Sequence, residues 1–159
     1  MNDPFGEEKL IDFGAVPPAI DTLLQQGVTA YRSDRARADR LFRAALAAGP
    51  QYLPVYFCLY KIHACQGSLD AALAVAEAGL REGARQAGWS DDFRAWRHSA
   101  DALDGPARFA LYTLKALAFI HLRRNERELA EVALDHLARL DPSGSIGWPV
   151  VAALAEALD

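Results

Sequence analysis

The stretch Tyr52–Leu80, YLPVYFCLYKIHACQGSLDAALAVAEAGL, decides the fold because it reads as two amphipathic helices joined by a short turn. Gly67 and Ser68 break one apolar-periodic run from the next, and Ser68 or Asp70 can accept hydrogen bonds from the N–H groups that open the second helix. A helical hairpin results. The rest of the chain either repeats it or covers its ends.

Upstream, Pro17 and Pro18 mark the start of a helix running to about Arg32, since proline is tolerated in a helix's first turn. The next helix begins near Asp34 and carries Ala38, Leu41, Phe42, Ala45 and Leu46 at three-and-four spacing. Arg37, Arg40 and Arg43 interleave with Asp39 on its other side, a mixed-sign pattern that reads as a solvated face rather than a phosphate site. Gly49 and Pro50 stop this helix. Residues 1–16 hold acidic clusters and scattered apolar residues without a sustained period, and they read as an N-terminal arm. Phe5, Leu10, Ile11 and Phe13 in that arm could fold back on an apolar surface. Downstream, SGSIGWP leads into a last helix over about 147–158, with Pro149 in its first turn. Val150, Val151, Leu154 and Leu158 are expected to pack inward there while Glu156 faces water.

The pattern recurs. Ala38, Phe42, Ala45, Leu46 and Pro50 are followed 34 residues later by Ala72, Ala76, Gly79, Leu80 and Ala84. Ala130, Leu134, Leu137, Ala138 and Pro142 follow 58 residues after the second set, so 24 residues are inserted before the third copy. The copies span about 19–50, 53–84 and 111–142, with the insertion at about 85–108.

A 34-residue helix-turn-helix unit of this kind resembles the tetratricopeptide repeat (TPR) family. Its signature combines an aromatic or Leu early in the first helix, a small residue near the middle, Ala in the second helix and Pro after it. Tyr56, Leu59, His63, Gly67, Ala72 and Leu80 carry the pattern in the second copy, and Leu114, Leu117, Ala118, His121, Ala130 and Pro142 in the third. The first copy matches from Ala38 to Pro50, but Gly27 lies one place off register and the turn at Ser33 and Asp34 lacks the usual Gly. The resemblance implies one all-α domain over 17–159, a right-handed superhelical stack of hairpins closed by a C-terminal capping helix. In such a stack each copy buries apolar surface that its neighbour cannot bury alone.

The resemblance further implies that the first helix of each hairpin lines a concave groove for a partner's peptide or helix. Its groove-facing positions fall on Phe57, Lys61 and Cys65 in the second copy, on Tyr112, Lys115, Phe119 and Arg123 in the third, and on Leu23, Gly27 and Tyr31 in the first. Apolar anchors beside cations would hold a segment through its side chains and its carboxylates. The Lys and Asn of the chaperone-tail carboxylate clamp are absent, which disfavours a heat-shock chaperone's acidic tail as that segment. For Lys61 and Lys115 the alternative is ordinary solvation of a long side chain over apolar neighbours.

In the insertion, Trp89, Phe93 and Trp96 recur at i, i+4 and i+7, so a short helix starting after Ser90, Asp91 and Asp92 would put three rings on one face. That face either covers the surface left between the second and third copies or closes over the groove as part of a partner site.

Composition narrows the function classes. At 159 residues and 52% hydrophobic content the chain can bury one domain-sized core, and a net charge of −4 offers no broad footprint for nucleic acid. The acidic start lacks a secretory pattern, and no apolar run approaches the ~18 residues of a membrane span, so a cytoplasmic location without membrane attachment is expected. Cys58 and Cys65 lie roughly 10 Å apart along one helix at 1.5 Å per residue, so they cannot bridge each other. His63 and His121 sit at equivalent positions of two copies, which favours a structural role over a Cys/His pair or a metal site, and His98 and His136 read as surface residues. No phosphate loop, nucleophile elbow or paired-carboxylate motif appears, and Asp91 and Asp92 read as helix-start residues. The expectation is a non-enzymatic, cofactor-free protein-interaction module, an adaptor or assembly helper. Self-association through the arm or the aromatic face is the alternative, and a Cys/His-dependent or metal-binding activity is less favoured.

Overall fold

The Tyr52–Leu80 stretch folds into the expected hairpin, α3 (Leu53–Cys65) and α4 (Leu69–Ala87). The computed structural model describes residues 15–97 and 105–158; His98 and all but the last two residues of the arm expected over 1–16 lie outside them. Before this hairpin, α1 (Pro18–Ala30) packs on α2 (Arg35–Ala48); after it, α5 (Gly105–Arg123) packs on α6 (Arg127–Leu140), and α7 (Trp148–Ala157) leans on both. The described residues hold these seven α-helices, one 3-10 turn and no strand. The chain is therefore all-α. Successive hairpins meet where α2 touches α3 and where α4 and α5 run together, and α3 also reaches α5.

Local chemistry sets the turns and helix ends. Gly67 (φ +79°) and Asn125 (φ +63°) both adopt the left-handed conformation that favours Gly and Asn. After each, the next N–H returns to the preceding helix: Ser68 donates to the His63 carbonyl and Glu126 to the His121 carbonyl, both at 2.8 Å. The second and third hairpins thus share one turn. The first, with Arg32 and Ser33 there, closes instead by Asp34 donating to the Ala30 carbonyl at 2.7 Å, and Asp34 Oδ1 accepts from the Arg37 N–H at 3.0 Å to cap α2.

Proline decides where the second helices stop. Gly49 and Asp141 each donate to the carbonyl four residues back, and Pro50 and Pro142 prevent continuation. The second copy has Ala84 at that position, so α4 runs on to Ala87 and ends at Gly88, φ +74°. Because α5 also begins early, at Gly105, both helices are 19 residues long, and the insertion expected over 85–108 shrinks at both ends. Its expected aromatic helix does not form. Only Phe93–Ala95 make a 3-10 turn, because Ser90 Oγ accepts from the Asp92 N–H at 3.1 Å and Asp92 Oδ1 from the Arg94 N–H at 3.0 Å, local bonds that compete with a helix. The rings still gather: Trp89 and Trp96 centroids lie 5.0 Å apart, Phe93 and Trp96 6.4 Å, and Trp96 is buried in the larger core.

Two clusters form the core, a smaller one among α1, α2 and α3 and a larger one from α3 to α7. α4 supplies the larger with a stripe of buried small residues, Ala72, Ala76, Gly79, Gly83 and Ala84. A Cβ on Gly79 would sit 3.0 Å from Tyr56 Cβ, and one on Gly83 2.9 Å from the Phe109 ring. On α7, Val151 and Ala155 are buried while Leu154 and Leu158 remain 40% and 64% exposed, so the expectation that all four apolar residues pack inward is corrected. The packing line of α7 runs through 151 and 155, and Leu154 and Leu158 lie on another line of the helix.

Replacing Gly83 by Val forces branched atoms into Phe109. The small gain in helix propensity does not offset overpacking, so Gly83→Val is expected to lower stability by about 1–3 kcal/mol in denaturant unfolding.

Candidate functional site

Phe57, Lys61 and Cys65 share a face of α3 because they recur every four residues. Phe57 is buried, its ring centroid 5.7 Å from those of Tyr60 and Tyr112, while the Lys61 Nζ stands 5.7 Å from the Phe57 centroid and Cys65 is exposed at the helix end. With Val28 of α1, Tyr31 just after it, Phe42 of α2, and Cys58 and Ile62 of α3, they line a groove of about 370 Å³. Gly27 shapes it. A Cβ there would lie 2.6 Å from Phe42, so only Gly lets the Phe42 ring slide against α1 and floor the groove.

The lining is apolar apart from Lys61, and no acidic residue contributes to it among the described residues. At the rim the Arg35 guanidinium lies 5.4 Å from the Tyr31 centroid, adding a second positive charge. Burial pushes the Cys58 thiol up to about 11, against a weaker opposing effect of Lys61, so it is protonated at neutral pH.

The third-copy positions are placed differently. Tyr112 is buried behind Phe57, and Lys115 is only 4% exposed, its Nζ donating to the Ile146 carbonyl at 3.0 Å and standing 3.9 Å from the Tyr112 centroid. The expectation that Lys115 offers its charge to a partner, or to water, is corrected: its amine is held within the fold. Phe119 is half-buried, with exposed Arg123 5.8 Å from its centroid, and neither reaches the groove of the second copy. Of the first-copy positions, Tyr31 lines the groove and Gly27 shapes it from behind.

Trp89, Phe93 and Trp96 do not line that groove. Phe93 instead meets His136 of α6 edge to face at 5.3 Å and borders a cleft of about 510 Å³ among α4, α5 and α6. Leu114 and Leu117 contribute to its lining, Leu129 and Val132 line it from α6, and Glu77, Arg81, Asp91, Asp92 and Arg94 surround it. The sequence reading missed this cleft; its signal was the pair Leu129 and Val132 on the otherwise charged face of α6.

Asp141 was missed as well. Fully buried, its carboxylate accepts from the Ser145 and Ile146 N–H groups at 3.0 and 2.8 Å and from the Ser145 hydroxyl at 2.9 Å, while its carbonyl accepts from Trp148 Nε1 at 2.7 Å. The motif DPSGS carries that signal, an Asx carboxylate followed by a short polar turn.

The two equivalent histidines face carboxylates. His63 is buried, with Nε2 3.2 Å from Asp39 Oδ1 yet off the hydrogen-bonding direction, and His121 Nδ1 lies 2.9 Å from Glu126 Oε1. Arg124 binds the same Glu126 oxygen at 2.8 Å and pairs with Asp70, tying the start of α4 to the turn before α6. Arg124 first, then His121, hold the Glu126 carboxyl at about 2. Among the described residues no group of three or more His, Cys, Asp or Glu could hold a metal ion, and no helix is long and apolar enough to cross a membrane.

No protein-family model, curated protein or solved structure matches the chain.

Burial lowers the affinity of His63 for a proton, Asp39 opposing and Arg43 reinforcing the effect. The unfolded chain therefore binds that proton more readily than the folded one, and stability falls as pH drops through the ordinary value of 6.5. Thermal melts between pH 8 and 5 are expected to show this loss in the native chain and a smaller one in His63→Phe.

Proposed function

We propose that the chain is a non-enzymatic interaction module of the tetratricopeptide-repeat type, a right-handed stack of three hairpins and a capping helix. It serves as a cytoplasmic adaptor or assembly helper by binding an extended or helical segment of another protein. The observation that carries this reading is the α1–α3 groove: apolar walls, a lysine inside, an arginine at the rim and, among the described residues, no acidic lining residue. Such a surface suits a segment with one or two large apolar side chains beside carboxylates, the apolar groups supplying affinity and the cations orientation. The shared turns of the second and third hairpins and the recurrent proline stops support the repeat assignment.

Peptide-display selection on the full chain tests it. Enriched peptides are expected to pair Phe, Leu or Ile with Asp or Glu, and to bind Lys61→Glu and Val28→Glu at least about tenfold more weakly, a loss of ~1.4 kcal/mol. Selection of no consensus, or of peptides that bind both variants equally, overturns the groove reading.

One observation favours self-association as a second reading: Leu154 and Leu158 leave an apolar line uncovered on α7, at the end of the array. Repeat arrays need a polar outer face on their terminal helix to remain single. On this reading the native chain sediments as a concentration-dependent dimer, and Leu154→Glu with Leu158→Glu sediments as a monomer.

A further inference from the structure

Residues 1–14, MNDPFGEEKLIDFG, lie outside the described structure and match the chemistry of the groove. They carry four large apolar side chains, Phe5, Leu10, Ile11 and Phe13, and four acidic residues, Asp3, Glu7, Glu8 and Asp12, against the single Lys9. The groove has the complementary character, apolar with Lys61 inside and Arg35 at its rim. We infer that residues 1–14 of the same chain occupy the α1–α3 groove, so that a partner segment binds by displacing them and shares their pattern of apolar anchors between carboxylates.

Reach permits this. Val28 on the groove wall lies ten residues beyond the start of α1, about 15 Å along the helix, whereas fourteen extended residues span up to about 46–50 Å. The chain can double back along α1, about five extended residues covering that distance, so that Leu10 and Phe5 both come within reach of the groove. Val16 already packs on the α1–α3 core, so the segment leaves from the body that holds the groove. Val28 is 54% exposed on that wall, an apolar side chain that a returning segment would cover. The other large cleft fits worse, because Glu77, Asp91 and Asp92 at its edge outnumber Arg81 and Arg94, whereas no carboxylate lines the α1–α3 groove among the described residues. Tethering supplies an effective concentration in the millimolar range, so even weak contacts keep the groove filled.

The inference rests on the same groove as the proposed function, but its test needs no partner. Cys65 is exposed on the groove lining, whereas Cys58, half-buried on the same lining and protonated, reacts more slowly, so a small model thiol in the same solution is the reference. Modification of Cys65 by a neutral thiol reagent is followed by mass spectrometry in the full native chain. The same is done in a full-length variant carrying Phe5→Ser, Leu10→Ser, Ile11→Ser and Phe13→Ser, which alters no charge. If the segment fills the groove nine-tenths of the time, Cys65 reacts about tenfold faster in the variant, and a synthetic peptide of residues 1–14 restores the protection. Matching thermal melts show that the body is intact. Equal rates in the two chains overturn the inference whether both are fast or both slow, and protection that grows with chain concentration assigns the groove to a second copy and overturns it too. A peptide selected by display that still binds the groove when the two rates are equal would leave the interaction reading standing and remove only the internal occupant.

Discussion

The close approach of α4 to the helices on either side of it is the constraint on which the rest depends. Small residues at Ala72, Ala76, Gly79, Gly83 and Ala84 bring the backbone of α4 against Tyr56 of α3 and Phe109 of α5, and any larger side chain there would push one of them away. Because α4 and α5 are both lengthened, this contact is the most extensive helix pairing among the described residues, and it belongs to the larger core. The joint between α2 and α3 is slighter and belongs to the smaller core. The α1–α2 hairpin is therefore joined to the following helices through less buried surface than the hairpins that meet at α4 and α5. The groove lies at that slighter joint, between α1 and α3.

Single residues decide how each copy differs from the others. Gly67 and Asn125 accept positive φ and give two hairpins the same closing hydrogen bond, while the first hairpin, without such a residue, closes by a different bond. Pro50 and Pro142 end their helices, and Ala84 lets α4 continue. Among the described residues of the insertion, two stretches extend α4 and α5 and a short aromatic turn settles on α6, away from the groove. A departure in sequence at one position thus propagates into the length of an interface.

The helices and their pairing were legible in the sequence because three-and-four spacing, Gly turns and Pro stops are local signals. The aromatic helix in the insertion was misread for a local reason as well: Ser90 and Asp92 can cap a helix or bind the backbone beside them, and spacing alone does not choose. The groove was half legible. Phe57, Lys61 and Cys65 follow from periodicity on one helix, whereas Phe42 enters only through the space above Gly27, a contact between two helices that no single period records. Leu154 and Leu158 failed for the same reason, since the face α7 turns inward is set by the α5–α6 surface it meets.

Lys115 shows why equivalent positions in different copies need not do equivalent work. Lys61 lines a groove, but Lys115, buried over the Tyr112 ring, spends its amine on the Ile146 carbonyl. Gly147 makes that contact possible: its φ of +95° turns the loop, and a Cβ there would come within 3.2 Å of the Lys115 amine. Asp141 holds the other side of the same loop through the Ser145 and Ile146 N–H groups. A buried ammonium and a buried carboxylate, each satisfied by backbone, thus fix the loop that brings α7 onto the third hairpin, and breaking either would strand a polar group in the core. The third hairpin closes its own face with this loop, whereas the apolar groove lies between α1 and α3 at the other end of the helix order.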